Sequence, residues 1–206
     1  MEQINHDARL RPRGRPRAYD PDVALAQASQ AFWRGGYAGT SLDEIAAATG
    51  MNRPSLRAAF GDKHALYLAA LRAYWARKFE TLGPALEGGT LAQALMRVYE
   101  SSLSVYYSGD DAVLGCFVLG TAITEAAQDA EIRAVVAAGF QRLDTEFAAR
   151  IRLAQAAGEL GPEADPEALA VLACGVMQTL ALRARAGADR EALRQMARVA
   201  VAAICP

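Results

Sequence analysis

The chain has 206 residues, of which 52% are hydrophobic and 22% charged, with a net charge of −1; this suits a soluble globular protein of one or two domains. Three scattered cysteines, Cys116, Cys174 and Cys205, and only two histidines, His6 and His64, leave no disulfide framework, no metal-ligand spacing and little material for acid–base or nucleophilic catalysis. Charge is divided along the chain: residues 1–78 hold 12 Lys/Arg against 7 Asp/Glu, and the remainder 10 against 16. A basic front half on an acidic back half fits a nucleic-acid module joined to a module with another task.

In chain order, residues 1–19 form a polar arm rich in Arg, Pro and Gly, expected to be disordered in the free protein. Its Pro12–Pro16 stretch, PRGRP, resembles the core of an AT-hook, with Arg13, Arg15 and Arg17 suited to a narrow, A·T-rich minor groove. A generic basic tail gives the same composition and sequence-independent affinity. Asp20-Pro21 is a cap followed by proline at the first helical position, and Gly35-Gly36 predicts the end of that first helix. Thr40 and Ser41 open a second helix, with Asp43 or Glu44 placed to complete a capping box. Gly50 marks a turn, Asn52 caps a third helix, and Asp62 caps a fourth from Lys63 to about Leu82. Helical patterns then cover about 91–107, 113–127, 130–157, 166–186 and 190–204. No segment alternates long enough to be a strand. The expected fold is all-α, with about nine helices. The expected division is a basic arm over 1–19, a DNA-binding unit over 20–82 and a second helical domain over 83–206.

The segment from Thr40 to Lys63, TSLDEIAAATGMNRPSLRAAFGDK, is a short helix, a glycine turn and a second short helix, the layout of a helix-turn-helix. Burying Leu42, Ile45, Met51, Leu56 and Phe60 leaves Asn52, Arg53, Ser55, Arg57 and Ala58 outward, with Pro54 in the helix's first turn. The spacing of Phe32, Gly36-Tyr37, Thr40-Ser41-Leu42, Ile45-Ala46, Gly50, Ser55-Leu56, Phe60, Lys63 and Leu66 resembles the DNA-binding domain of the TetR family of transcription regulators. The resemblance implies that Thr40, beside Ser41 at a helix start, contacts phosphate through its hydroxyl or backbone N–H, that Arg53 and Ser55 approach bases, and that Lys63 holds phosphate. Arg57 stands where the family often has Tyr. Its guanidinium suits either a phosphate or the bidentate reading of a guanine.

The acidic part lacks a phosphate-binding loop, paired zinc histidines and a nucleophile elbow, so no enzyme and no cofactor are expected. The resemblance implies a small-molecule pocket among its apolar residues. Candidate lining residues are Met96, Tyr99, Leu103 and Tyr106 on one helix, and Cys116, Phe117 and Thr121 on the next. Phe140, Phe147, Met177 and Gln178 complete the set. Cys116 reads either as a redox-sensing thiol or as an inert buried one. The last two helices offer Leu169, Leu172, Ala173, Val176 and Leu180 on one face and Met196, Val199 and Ala200 on another, enough for a four-helix bundle between two copies. The longest apolar run, Ala168–Met177, falls short of a membrane span, and no signal peptide is expected. The sequence therefore points to a cytoplasmic, homodimeric repressor that leaves a pseudo-palindromic double-stranded operator when an unidentified small molecule binds. A ligand-independent architectural or activating DNA-binding protein is the alternative.

Overall fold

The computed structural model describes residues 19–109 and 112–205. Arg13, Arg15 and Arg17 lie outside the described residues, as does the arm up to residue 18. The described chain is helical and contains no strand: α1 (Pro21–Gly39), α2 (Leu42–Thr49), α3 (Arg53–Phe60), α4 (Lys63–Leu86), α5 (Leu91–Tyr106), α6 (Ile123–Ala126), α7 (Ala130–Ala156), α8 (Pro166–Arg185) and α9 (Arg190–Ile204).

Local chemistry sets most of these ends. Asp20, Asp62, Asp129, Asp165 and Asp189 each cap a helix by accepting backbone N–H groups with a carboxylate. Ser41 with Glu44, and Thr90 with Gln93, form reciprocal capping boxes. Three expected boundaries move. The first helix resumes after a break at Gly36 (φ 75°), a backbone setting open to glycine, and runs on to Gly39. The fourth continues through Pro84 to Leu86, because in the last turn proline removes only one ladder bond. A domain boundary at residue 82 therefore falls inside a continuous helix.

The third change is larger. The expected helix over 113–127 is an irregular approach, with Gly115 in the left-handed region (φ 65°), followed by a π-helical stretch, Val118–Ala122, and the short α6. The amides of Leu114 and Gly115 both donate to the Tyr106 carbonyl, at 3.0 and 3.2 Å, pinning this approach across the end of α5.

The helices pack as two layers that share α4. At one end α1 lies on α2 and α4; at the other, α4, α5, α7, α8 and α9 form a bundle. A single hydrophobic core runs through both, from Phe32, Ile45 and Tyr67 to Leu103, Phe147 and Leu180. By length and composition α8 is long and apolar enough to cross a membrane, against the expectation from its uninterrupted apolar run. The difference is its alanine content, which keeps the average high across Gly175 and Gln178. Ala170, Ala173, Cys174, Met177, Leu180, Ala181 and Ala184 are nevertheless buried inside the bundle.

Candidate functional site

The helix-turn-helix is built by short-range contacts. Gly50 ends α2 in the left-handed region (φ 64°), turning the chain without the penalty a Cβ would bring. Asn52 then caps α3, its Oδ1 accepting the Ser55 amide at 2.8 Å. Ile45, Met51 and Leu56 are buried beneath the pair, which fixes the angle between the two helices. Asn52, Arg53, Pro54, Arg57 and Ala58 stand exposed on one surface, with Ser55 half-buried among them.

Arg53 is not free. Its Nε donates to Asp43 Oδ1 at 2.6 Å and its terminal nitrogen to the other carboxylate oxygen, a two-pronged pair that ties α3 to α2. The pairing holds the Asp43 carboxyl below the usual carboxylate range. Lys63 lies 4.6 Å from the centre of the Tyr37 ring, at the start of α4.

Thr40 departs from expectation. Its side chain is buried, and its hydroxyl donates to the Gly36 carbonyl at 2.7 Å. Its amide turns back to Tyr37. Neither group points at solvent, which leaves Thr40 nothing to offer a phosphate, contrary to the expectation from sequence; Ser41 is the cap. A Cβ on Gly35 would come within 2.6 Å of the Thr40 hydroxyl, so the side chain is seated against α1. The Ser41 hydroxyl donates to Glu44 at 2.8 Å within the capping box.

This end is joined to the bundle by aromatic rings. Phe117 meets Trp33 edge-on at 5.6 Å and lies 5.5 Å from Tyr74 and 5.9 Å from Tyr67. Tyr67 and Thr121 share a hydrogen bond of 2.7 Å. Nearer the surface, His64 Nε2 lies 2.7 Å from Asp129, the cap of α7. Thr121 thus serves this junction, and Phe117 both packs in it and lines a cleft of about 280 Å³ between α1 and α4 with Trp33, Tyr74 and Arg77.

Of the other expected pocket residues, Tyr99, Leu103 and Phe147 are plain core, with the Tyr99 hydroxyl donating to the Ala173 carbonyl at 3.1 Å. Met96 is half-buried at the core's edge. Tyr106, Cys116, Phe140, Met177 and Gln178 do meet, around a void of only about 20 Å³. Tyr74 donates a hydrogen bond of 3.2 Å to Cys116 Sγ there. A larger cavity of about 360 Å³ opens beside it between α1, α4 and α5, and the two share Tyr74, Lys78 and Tyr106. Sequence reading missed Lys78, Trp33, Tyr74 and Ser102. A lysine amid a helical charge pattern reads as solvent-facing, and only the fold half-buries it.

On the outer bundle, Val171 (60% exposed), Leu172 (50%) and Leu182 (55%) make one stripe along α8, beside Val199 (63%) on α9. Leu169, Val176, Met196 and Ala200 border it, half-buried. Ala173 and Leu180 face the chain's own core and cannot offer a surface, so their place in a dimer face is withdrawn. Val171 and Leu182 are the residues exposed on that outer side: successive rows of α8 sit too close in apolar character for sequence to separate inner from outer.

Comparison with known proteins matches residues 24–70 to the family described as bacterial regulatory proteins, tetR family, and residues 92–200 to the Tetracyclin repressor-like, C-terminal domain. The HTH-type transcriptional repressor ComR of Escherichia coli K12 is 30% identical over 90% of this chain and 89% of its own length. YezE, an uncharacterised HTH-type transcriptional regulator of Bacillus subtilis 168, is 27% identical over 88% of this chain and 94% of its own. Among solved structures, a cysteine-substituted variant of the TetR family regulator CifR, in complex with 26-base-pair operator DNA, superposes with a TM-score of 0.84 at 30% identity, covering 92% of this chain and 99% of that one.

Proposed function

From the premise that the chain belongs to the TetR family of DNA-binding transcriptional regulators, a family of regulators and not of enzymes, we propose that it is a homodimeric repressor which a small molecule releases from a pseudo-palindromic operator. The observation that carries this reading is the continuous path from recognition helix to cavity. α3 abuts α4, and α4 bears both Tyr67 at the junction and Lys78 in the cavity wall.

In this reading Asn52, Arg53, Pro54, Ser55 and Arg57 face base edges and the nearby backbone. Ser41 and Lys63 lie against phosphate, and Arg13, Arg15 and Arg17 track the flanking minor groove. The exposed stripe of Val171, Leu172, Leu182 and Val199 covers its symmetry mate; that use accounts for the apolar outer side of α8 without a membrane. Two copies then set their α3 helices roughly 34–36 Å apart, one turn of duplex. A compound that prefers a different tilt of α4 changes that distance and loosens both half-sites together. Such a protein works in the cytoplasm, where the DNA is.

The test is selection of duplexes from a random pool by purified full-length protein, followed by fluorescence anisotropy on the enriched sequence. The expected outcome is an inverted repeat bound as a dimer. Absence of any preference over random competitor at moderate salt would defeat the proposal.

A further inference from the structure

The cavity of about 360 Å³ between α1, α4 and α5 is at the small end of organic ligand sites, roughly 300–1,000 Å³. Its walls are aromatic on one side, from Trp33, Tyr74 and Tyr106, and hydroxyl-bearing on the other, from Ser102 and its neighbours along α5. Lys78 projects between them. Its Nζ donates to Ser102 Oγ at 2.8 Å, and the Ser102 proton goes back to the Val98 carbonyl at 2.7 Å. That leaves the ammonium further donors to satisfy. Among the described residues no carboxylate lies within salt-bridge distance of it, and no Asp or Glu lines the cavity. Arg77 adds a second cation at the rim. Lys78 is half-buried there, and an ammonium drawn partly out of water is usually paired, because desolvation without a partner is costly.

We infer that this cavity binds a small organic anion, a carboxylate on a flat apolar body, with Lys78 Nζ as its charge partner and the three rings as its walls. The inference deepens the effector-release reading and rests on it for its regulatory meaning. Burial lowers the Lys78 pKa to about 8, so the side chain is still mainly an ammonium at neutral pH, held at an energetic disadvantage that a bound anion offsets. A neutral ligand of the same shape gains the walls but not the charge. Inorganic phosphate gains the charge but not the walls. Position gives the ligand its leverage: it would touch Trp33 on the helix before the helix-turn-helix and Lys78 on the helix after it.

The test uses full-length protein, calorimetric titration and matched probes: trans-cinnamate, its neutral analogue cinnamamide, and inorganic phosphate. Cinnamate is expected to bind at least about tenfold more tightly than either control, the scale of one charge-assisted hydrogen bond. Lys78→Met should abolish that advantage while leaving cinnamamide unchanged, and Lys78→Arg should retain part of it. Arg77→Gln, a change at the exposed rim that does not threaten folding, should weaken cinnamate alone. Equal binding of acid and amide, an advantage that survives in Lys78→Met, or no binding of cinnamate would each overturn the assignment. Operator release is measured on the same samples to separate the two readings. A neutral compound that releases wild type and Lys78→Met alike defeats the anion and leaves ligand control standing. Loss of sequence preference in the DNA assay defeats the repressor and leaves anion binding by the free protein intact.

Discussion

The recognition end and the cavity both present positive charge, but in opposite circumstances. Arg53 and Arg57 sit in water on a short helix, and one is already partly neutralised by Asp43 across a two-pronged bridge. Lys78 is half-buried among aromatic rings and serines, with a single hydroxyl as partner. An exposed guanidinium is inexpensive to hold and acts through a field that salt screens, which suits a polyanion met in solution. A half-buried ammonium weighs against the empty fold and rewards one small counter-charge of the right shape. The same sign of charge thus does a long-range task in one place and a discriminating one in the other.

The contrast breaks most visibly at Arg57. Arg57→Ala is expected to weaken operator binding by about ten- to hundredfold, read by anisotropy across a salt series. A shallower salt slope with unchanged sequence preference would assign the side chain to phosphate; relaxed preference at one base pair would assign it to a base. No change in either would remove Arg57 from the interface.

Lys78 sharpens the comparison through stability. Its folded pKa, about 8, lies below the ordinary 10.5. Below about pH 8 both folded and unfolded chains hold the proton, and the half-buried charge opposes folding in full. Between about 8 and 10.5 the unfolded chain binds more protons, so stability rises with pH across that window. Lys78→Met should therefore stabilise the empty protein at pH 7 by on the order of 2 kcal/mol, and flatten that rise, in denaturant unfolding at pH 7 and pH 10. Cys116 and Cys174, the thiols facing Lys78, are common to both proteins. An unaltered pH dependence would show that the ammonium is well solvated.

The smallest effect is expected at Asp43. Asp43→Asn releases Arg53 and removes one anion from the recognition surface, so binding to random duplex at low salt should tighten severalfold, and less at high salt. Unchanged affinity would mean that the bridge persists on DNA, with Asp43 a fixed part of the reading surface.

How far sequence reached follows the same division. The caps and turn of the recognition end are encoded within four residues of one another, as Ser41 with Glu44 and Asn52 with Ser55, and those signals were legible. Thr40 was not, because its fate depends on how closely Gly35 lets it approach α1. The cavity assembles Trp33, Lys78 and Ser102 from three helices. Periodicity tells which side of a clearly amphipathic helix faces inward, though not of one as uniformly apolar as α8, and never where inward atoms leave a gap. Thr121 was read as facing the core, but its hydrogen bond to Tyr67 was not legible, since the π-helical stretch that carries it has no signature of its own.

Gly139 on α7 lies under the Trp75 ring so closely that a Cβ there would fall 2.1 Å from it. Helix α4 therefore has no slack against α7 at Trp75, within a contact that also includes Phe140 against Trp75 and Arg142 over Phe79, and this tightest point would be the fulcrum of any tilt of α4. From Trp75 back to Lys63 the beam is about 18 Å long, so a tilt of about 5° at the fulcrum would swing its tip by about 1.5 Å. Lys78 is on the short arm, one turn beyond that pivot, so a small push there would become a larger sweep at the end of α4 that adjoins α3.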